Sequence, residues 1–119
     1  MALHLILVVK YRKQLLLGEV AEFMKLKIMD IASRSDFKVE EIEVDKDHIH
    51  ILLTISPTIC VSNYVRRMKQ STTQSLWARY EWLTNQFWRE RAFWSDGYFV
   101  CSVGNTSAET VRKYIQDQG

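Results

Sequence analysis

His48 and His50 flank Ile49 within the apolar run 49–55, and Tyr114 stands four residues before Gln118 near the other end of the chain. In a β-strand, residues i and i+2 point to one face. Both imidazoles then project together, about 7 Å apart along the backbone by strand rise. That spacing suits two ligands of one divalent metal. In a helix, residues i and i+4 share a face, so Tyr114 and Gln118 offer a phenol and a neutral oxygen donor side by side. A phenol with a pKa of about 10 is a poor nucleophile at neutral pH and needs a nearby cation or base. A metal held by two neutral imidazoles and an amide oxygen keeps its full charge and open positions, where it can polarise a phosphate. The combination could cut a phosphodiester. By ligand type alone it suits zinc, nickel, cobalt or manganese better than magnesium, which prefers oxygen.

Each half has a plainer reading when taken separately. A His-x-His pair often serves structure, and a Tyr-x-x-x-Gln helix can simply pack its tyrosine. Parity adds information. Ile51 and Leu53 lie on the Ile49 face, so the core can use that face. His48 and His50 are left on the other with Leu52, where two polar rings need partners. His4 falls on another strand and reads as an isolated structural or solvated histidine.

These residues need elements to hold them. A first strand is expected over about Leu3 to Tyr11. A helix over Glu19 to Ser33 follows from Val20, Phe23, Met24, Ile28 and Ile31 at helical spacing. Lys38 to Val44 alternates imperfectly. With a turn at Asp45-Lys46-Asp47 and a strand over His48 to Ile55, it makes a hairpin. Ser56-Pro57 ends it. A long helix over about Val61 to Tyr80 carries Val61, Tyr64, Val65, Met68, Leu76 and Tyr80 as its apolar stripe, with Arg66, Lys69 and Thr73 on the opposite side. Phe93 to Val103, with Asp96-Gly97 inside it, reads as a strand with a turn or bulge. Gly104 breaks that strand. Thr106-x-x-Glu109 is a capping-box pattern opening a final helix to about Gln118. The order is βαββαβ plus a C-terminal helix. It predicts an α+β, ferredoxin-like (RRM-like) sandwich with an antiparallel sheet and the tyrosine on its last helix.

The 119 residues, 47% apolar and 25% charged, fit one globular domain over residues 1–119. No apolar run approaches the roughly 18 residues of a membrane span. The run Leu3 to Val9 leads into Lys10-Tyr11-Arg12-Lys13 and lacks the pattern of a signal peptide. Cys60 and Cys101 have no metal-type spacing, and reduced thiols in a cytoplasm are the expectation. The net charge of +2 is too small to decide for a nucleic-acid partner. Its distribution is more informative. Arg12 and Lys13, with Arg66 and Lys69, are candidate phosphate contacts, and ordinary solvated surface charge is the alternative.

Five blocks carry a family resemblance. They are Lys10-Tyr11-Arg12-Lys13, Asp47-His48-Ile49-His50, Arg67-Met68-Lys69, Phe93-Trp94-Ser95-x-Gly97-Tyr98-Phe99 and Lys113-Tyr114-Ile115-Gln116-Asp117-Gln118. In this order they resemble the insertion-sequence-200-like transposases, small TnpA-type single-tyrosine enzymes of the HUH (His-hydrophobic-His) superfamily. The resemblance spans nearly the whole chain. The HUH pair is shared by many nucleases, whereas the Trp-Ser-x-Gly-Tyr-Phe block and the Tyr-x-x-x-Gln ending are more specific. The family often has proline where this chain has Lys46 and Asp96.

The resemblance implies a function. Such enzymes bind single-stranded DNA hairpins at the ends of a mobile element, and the tyrosine forms a 5′-phosphotyrosine link and releases a 3′-OH. It implies Tyr114 as nucleophile, His48, His50 and Gln118 as ligands of Mg²⁺ or Mn²⁺, and a homodimer in which the histidines of one subunit meet the tyrosine of the other. Three alternatives remain at this point. One is a domesticated relative that processes repeated chromosomal hairpins. Another is a catalytically silent single-strand-binding module that uses basic and aromatic side chains. The third is a structural or regulatory metal protein.

Overall fold

The computed structural model describes residues 2–56, 58, 60–87, 92–102, 113, 114, 116 and 117. Strand β1 (Ala2–Val8) leads through a 3-10 turn (Lys10–Arg12) to helix α1 (Gly18–Ser33). Strands β2 (Phe37–Asp45) and β3 (His48–Ile55) form the expected hairpin. Helix α2 (Val61–Arg79), a 3-10 segment (Glu81–Phe87) and strand β4 (Phe99–Ser102) complete the named elements. The sheet runs β2-β3-β1-β4 with every neighbouring pair antiparallel. This is the ferredoxin-like sandwich that the element order predicted. No helix among the described residues is long and apolar enough to cross a membrane.

The core follows from two periods. On β3, Ile49, Ile51, Leu53 and Ile55 are buried while His48, His50, Leu52 and Thr54 are half-exposed, the alternation of a strand with two different faces. The buried set joins Leu3, Leu5, Leu7 and Val9 of the first-strand region. Helix α1 covers them with Val20, Met24, Ile28 and Ala32, spaced by four. Helix α2 adds Tyr64, Val65, Met68 and Leu76. Each fully buried aliphatic side chain contributes roughly 1.5–3 kcal/mol. This core fixes which face of β3 is left for the histidines, although Ile6 and Val8 on that same side of β1 are buried as well.

Three expectations shift. The first strand ends at Val8, short of Tyr11. There it has run past β3: the Val9 amide donates to the Asp47 carbonyl and the Lys10 amide to the Phe93 carbonyl. The chain then turns through Tyr11 and Arg12, both left-handed at φ 60° and 51°. The imperfect alternation in β2 is a bulge, a register shift against β3 between Val39 and Glu41. The strand expected over Phe93 to Val103 is regular only at Phe99–Ser102. Phe93 and Trp94 instead plug the core. The Trp94 indole donates to Thr72 Oγ1 at 2.9 Å, and the Ser95 hydroxyl to the Val8 carbonyl at 3.0 Å. Residues 81–87, for which the sequence suggested no element, add Leu83 and Phe87 to the core. Residues 113, 114, 116 and 117 are helical. Gly104, the Thr106-x-x-Glu109 box and Gln118 lie outside the described residues.

Candidate active site

The pleat of β3 puts His48 and His50 on the face turned away from the helices. Register then names their neighbours. His48 stands between Val8 of β1 and Asp45 of β2, and His50 between Ile6 and Glu43. Asp47, in the turn before the strand, holds the first ring: its Oδ1 lies 2.9 Å from His48 Nδ1. An Nδ1–H donated to a carboxylate leaves Nε2 as the free ring nitrogen, the usual outer-shell arrangement of a metal-binding histidine. Arg12 continues the row, with Nε 3.8 Å from Asp47 Oδ2. Thus Arg12, a proposed phosphate contact, also reaches into the support of His48.

The second ring has a different partner. His4 Nδ1 lies 2.7 Å from His50 Nε2, with the ring centroids 4.8 Å apart. The isolated histidine expected on the first strand is therefore part of the site. Parity on one strand could not show this, because the contact depends on the pairing of His4 with Leu52, two residues beyond His50 and on the same face. His50 is held below the ordinary histidine pKa, first by desolvation and then by the neighbouring His4 and His48 rings; Glu43 and Glu41 oppose the shift. The environment favours a neutral imidazole, the form that binds metals.

The two rings fit a divalent metal by donor type, shared face and the carboxylate behind His48. They are only part of a ligand set. Among the described residues no three His, Cys, Asp or Glu side chains gather into a metal-holding group. A third donor must come from another residue type or from outside that set. Gln118 answers both descriptions and lies outside the described residues.

Tyr114 is helical and half-buried. Its ring packs on Phe99 of β4, centroids 5.4 Å apart. Phe99 is opposite Ile6, and Ile6 is opposite His50. The tyrosine's aromatic partner therefore sits in the same cross-strand row as His50, two strand spacings away, roughly 10 Å. No described contact joins Tyr114 to either histidine. Among the described residues, its hydroxyl is buried without a hydrogen-bond partner. Burial pushes its pKa up, so in this state the phenol is held protonated and poorly nucleophilic.

The four basic candidates do not form one patch. Arg12 leans to Asp47. Lys13 Nζ sits 5.9 Å from the centroid of the Phe87 ring, a cation–π distance. Lys69 shares a helix side with Arg66 and Thr73, as expected, and all three line one cleft, but Thr73 is buried and the Lys69 ammonium donates to the carbonyls of Ser95 at 2.9 Å and Gly97 at 2.6 Å. Gly97, at φ 81°, adopts a backbone that favours glycine. Burial lowers the Lys69 pKa, against an opposing pull from Asp96. Between α2 and the 92–96 segment lies a cleft of about 560 Å³, with Arg66, Gln70, Gln74, Trp77 and Asp96 in its lining. Arg66 is exposed there.

A four-stranded ferredoxin-like sheet with paired histidines on the face turned away from its helices and a helical tyrosine packed on its edge strand defines a small α+β protein built around one strand-borne site. The chain belongs to the IS200-like transposase family, whose model matches residues 1–118. It is 33% identical over 115 residues to the ISDra2 transposase TnpA of Deinococcus radiodurans, covering 97% of this chain and 81% of that protein. It is 30% identical over 115 residues to the transposase for insertion sequence element IS200 of Salmonella typhimurium, covering 97% and 74%. A crystal structure of a transposase candidate from Deinococcus radiodurans R1 superposes with a TM-score of 0.91 at 28% identity, covering 99% of this chain and 90% of that one. The REP-associated tyrosine transposase bound to a REP hairpin shares the fold, with a TM-score of 0.63 at 16% identity over 96% of this chain and 61% of that one.

Proposed function

We propose that this transposase binds single-stranded DNA hairpins at the ends of a mobile element and cleaves and rejoins them through a 5′-phosphotyrosine link on Tyr114. The observation that carries the reading is the histidine pair: two half-exposed imidazoles on the face of a central strand turned away from the helices, one held by Asp47 and the other by His4. A bound Mg²⁺ or Mn²⁺, held by His48, His50 and Gln118, would polarise the scissile phosphate and offset its charge. The Tyr114 oxygen attacks phosphorus, the bond to the 3′ oxygen breaks, and that oxygen leaves as a 3′-OH after taking up a proton. The phenolic proton passes to solvent or a base. A later 3′-OH reverses the step, so the bond is conserved without an external energy source.

The reading includes a homodimer with shared sites. Within one chain the Tyr114 hydroxyl is buried, protonated and joined to neither histidine by a described contact. Supplying the tyrosine from a partner subunit would bring it out of that setting and beside the metal, which lowers the pKa of a nearby phenol. Arg12, Lys13, Arg66 and Lys69 are the proposed phosphate contacts, and the hairpin held by the fold neighbour supports a DNA ligand of this shape.

The test is an internally labelled single-stranded hairpin oligonucleotide, taken from the DNA flanking the gene and incubated with protein and Mg²⁺ or Mn²⁺. A protein–DNA adduct that survives a denaturing gel is expected, and Tyr114→Phe should remove it. Cleavage without an adduct would make water the nucleophile and the protein a plain metal nuclease. Hairpin binding without cleavage would favour the silent binding module.

A further inference from the structure

The histidine on β1 is neither a ligand in the proposed set nor part of the core, yet it makes the shortest side-chain contact of the site. His4 projects from the same sheet face as His48 and His50. Cross-strand partners share a face, and the row Ile6–His50 is followed by the row His4–Leu52. His4 therefore lies on the side of His50 away from His48. At 2.7 Å from His4 Nδ1, His50 Nε2 is occupied and points away from its fellow ligand. The nitrogen of His50 that remains is Nδ1.

The same logic acts on the other ring through a different group. Asp47 takes His48 Nδ1 and leaves Nε2. A histidine that ligates a metal through one nitrogen usually donates its other N–H to an acceptor, which fixes both tautomer and ring orientation. Carboxylates and carbonyls are the usual acceptors, and the unprotonated Nδ1 of a neutral imidazole can also serve. For His50 to keep this bond and still ligate, it must carry its proton on Nε2 and donate to His4. The reverse tautomer places the proton on His50 Nδ1 and leaves no lone pair for a metal.

We infer that His4 is a positioning residue of the metal site: its Nδ1 accepts from His50 Nε2–H, fixing the His50 ring so that Nδ1 faces a metal shared with Nε2 of His48. The inference rests on the metal-pair reading above and adds a residue and a ligand atom to it. It also assigns the two ligand rings opposite nitrogens, each set by its own support.

The experiment uses the full chain and Mn²⁺ alone, with affinity read by titration of the free-ion paramagnetic resonance signal. His4→Ala is expected to weaken Mn²⁺ binding by about 10- to 100-fold, the range for loss of an outer-shell partner. His4→Asn, whose amide oxygen can take the place of Nδ1, should recover most of that loss. His4→Phe keeps a ring without a nitrogen; it should behave as alanine does and replaces it if the alanine variant does not fold. Nitrogen-15 spectra of the metal-free protein give a second readout, with His50 in the Nε2–H form in the parent and a tautomer mixture in His4→Phe. Parent-level Mn²⁺ binding by both His4→Ala and His4→Phe, with His48→Ala and His50→Ala defective, would overturn the role of His4 and leave the metal pair standing. Parent-level binding in all four would overturn the metal pair itself. An Nδ1–H form of His50 in the parent would overturn the assigned ligand atom.

Discussion

The histidine end and the tyrosine end of this site are built in opposite ways. Each histidine has a hydrogen-bonding partner on its own sheet or in the turn that feeds it: Asp47 behind His48 and His4 behind His50. Tyr114 has an aromatic neighbour in Phe99, but its hydroxyl finds no partner among the described residues. Buried polar groups normally find partners, and loss of a hydrogen bond at a buried donor costs roughly 1–3 kcal/mol. Each histidine is supported within the chain. The Tyr114 hydroxyl rests buried, and on the proposed reading its chemistry waits on a partner subunit's metal pair.

The sharpest way to break this contrast is complementation. His48→Ala and Tyr114→Phe should each be inactive alone. In a dimer with shared sites, mixing them yields heterodimers with one intact site and one doubly damaged site, so cleavage returns from nothing. If subunits exchange and no product forms, the tyrosine serves its own chain and the resting position is only a conformational state. A smaller effect is expected at the histidine end. Asp47→Asn should weaken metal binding and metal-dependent cleavage by about 10- to 100-fold while hairpin binding in a chelator stays at the parent level. No change in metal dependence would mean that the Asp47 carboxylate serves only the turn and Arg12.

The same contrast recurs, more weakly, between two cations on α2. The Lys69 ammonium is spent on two loop carbonyls, whereas Arg66 is exposed at the cleft mouth. Lys69→Met should lower stability by roughly 2 kcal/mol, within the range for hydrogen bonds to a charged group, seen as a fall in thermal midpoint. Arg66→Ala should stay within roughly 0.5 kcal/mol of the parent in stability. It should instead reduce the log–log salt slope of hairpin binding by somewhat under about 1. An Arg66→Ala protein with an unchanged slope would remove Arg66 from the DNA surface. A Lys69→Met protein of parent stability but weakened, less salt-sensitive binding would make phosphate contact, and not the loop, the main role of Lys69.

What was legible in the sequence divides along physical lines. The shared face of His48 and His50 needs only the two-residue period of a strand, which is local, and the apolar Ile49, Ile51 and Leu53 show which face is core. The βαββαβ order was legible for the same reason, since α1 and α2 each carry a helical stripe. The part played by His4 was not, because cross-strand register is a long-range property that no single strand encodes. The two loop carbonyls that Lys69 holds were not legible, because a helical wheel shows the side a residue is on and not the loop that covers it. Phe93 and Trp94 read as strand because aromatic residues favour strands; here they are drawn sideways into the core by burial and by the indole bond to Thr72. Gln118, expected from its i, i+4 spacing to Tyr114 and from the family resemblance, lies outside the described residues.

The turn at Tyr11 and Arg12 carries a conformational cost. Two adjacent residues with full side chains hold a left-handed backbone, at of order 1 kcal/mol each. Glycine or asparagine holds such a backbone with less strain. Arg12 instead extends to the carboxylate behind His48, and Tyr11 remains 55% exposed. Full side chains thus stand where the backbone favours glycine, and one of them braces the carboxylate that holds a candidate metal ligand, so strain at this turn and order at His48 are joined through Arg12.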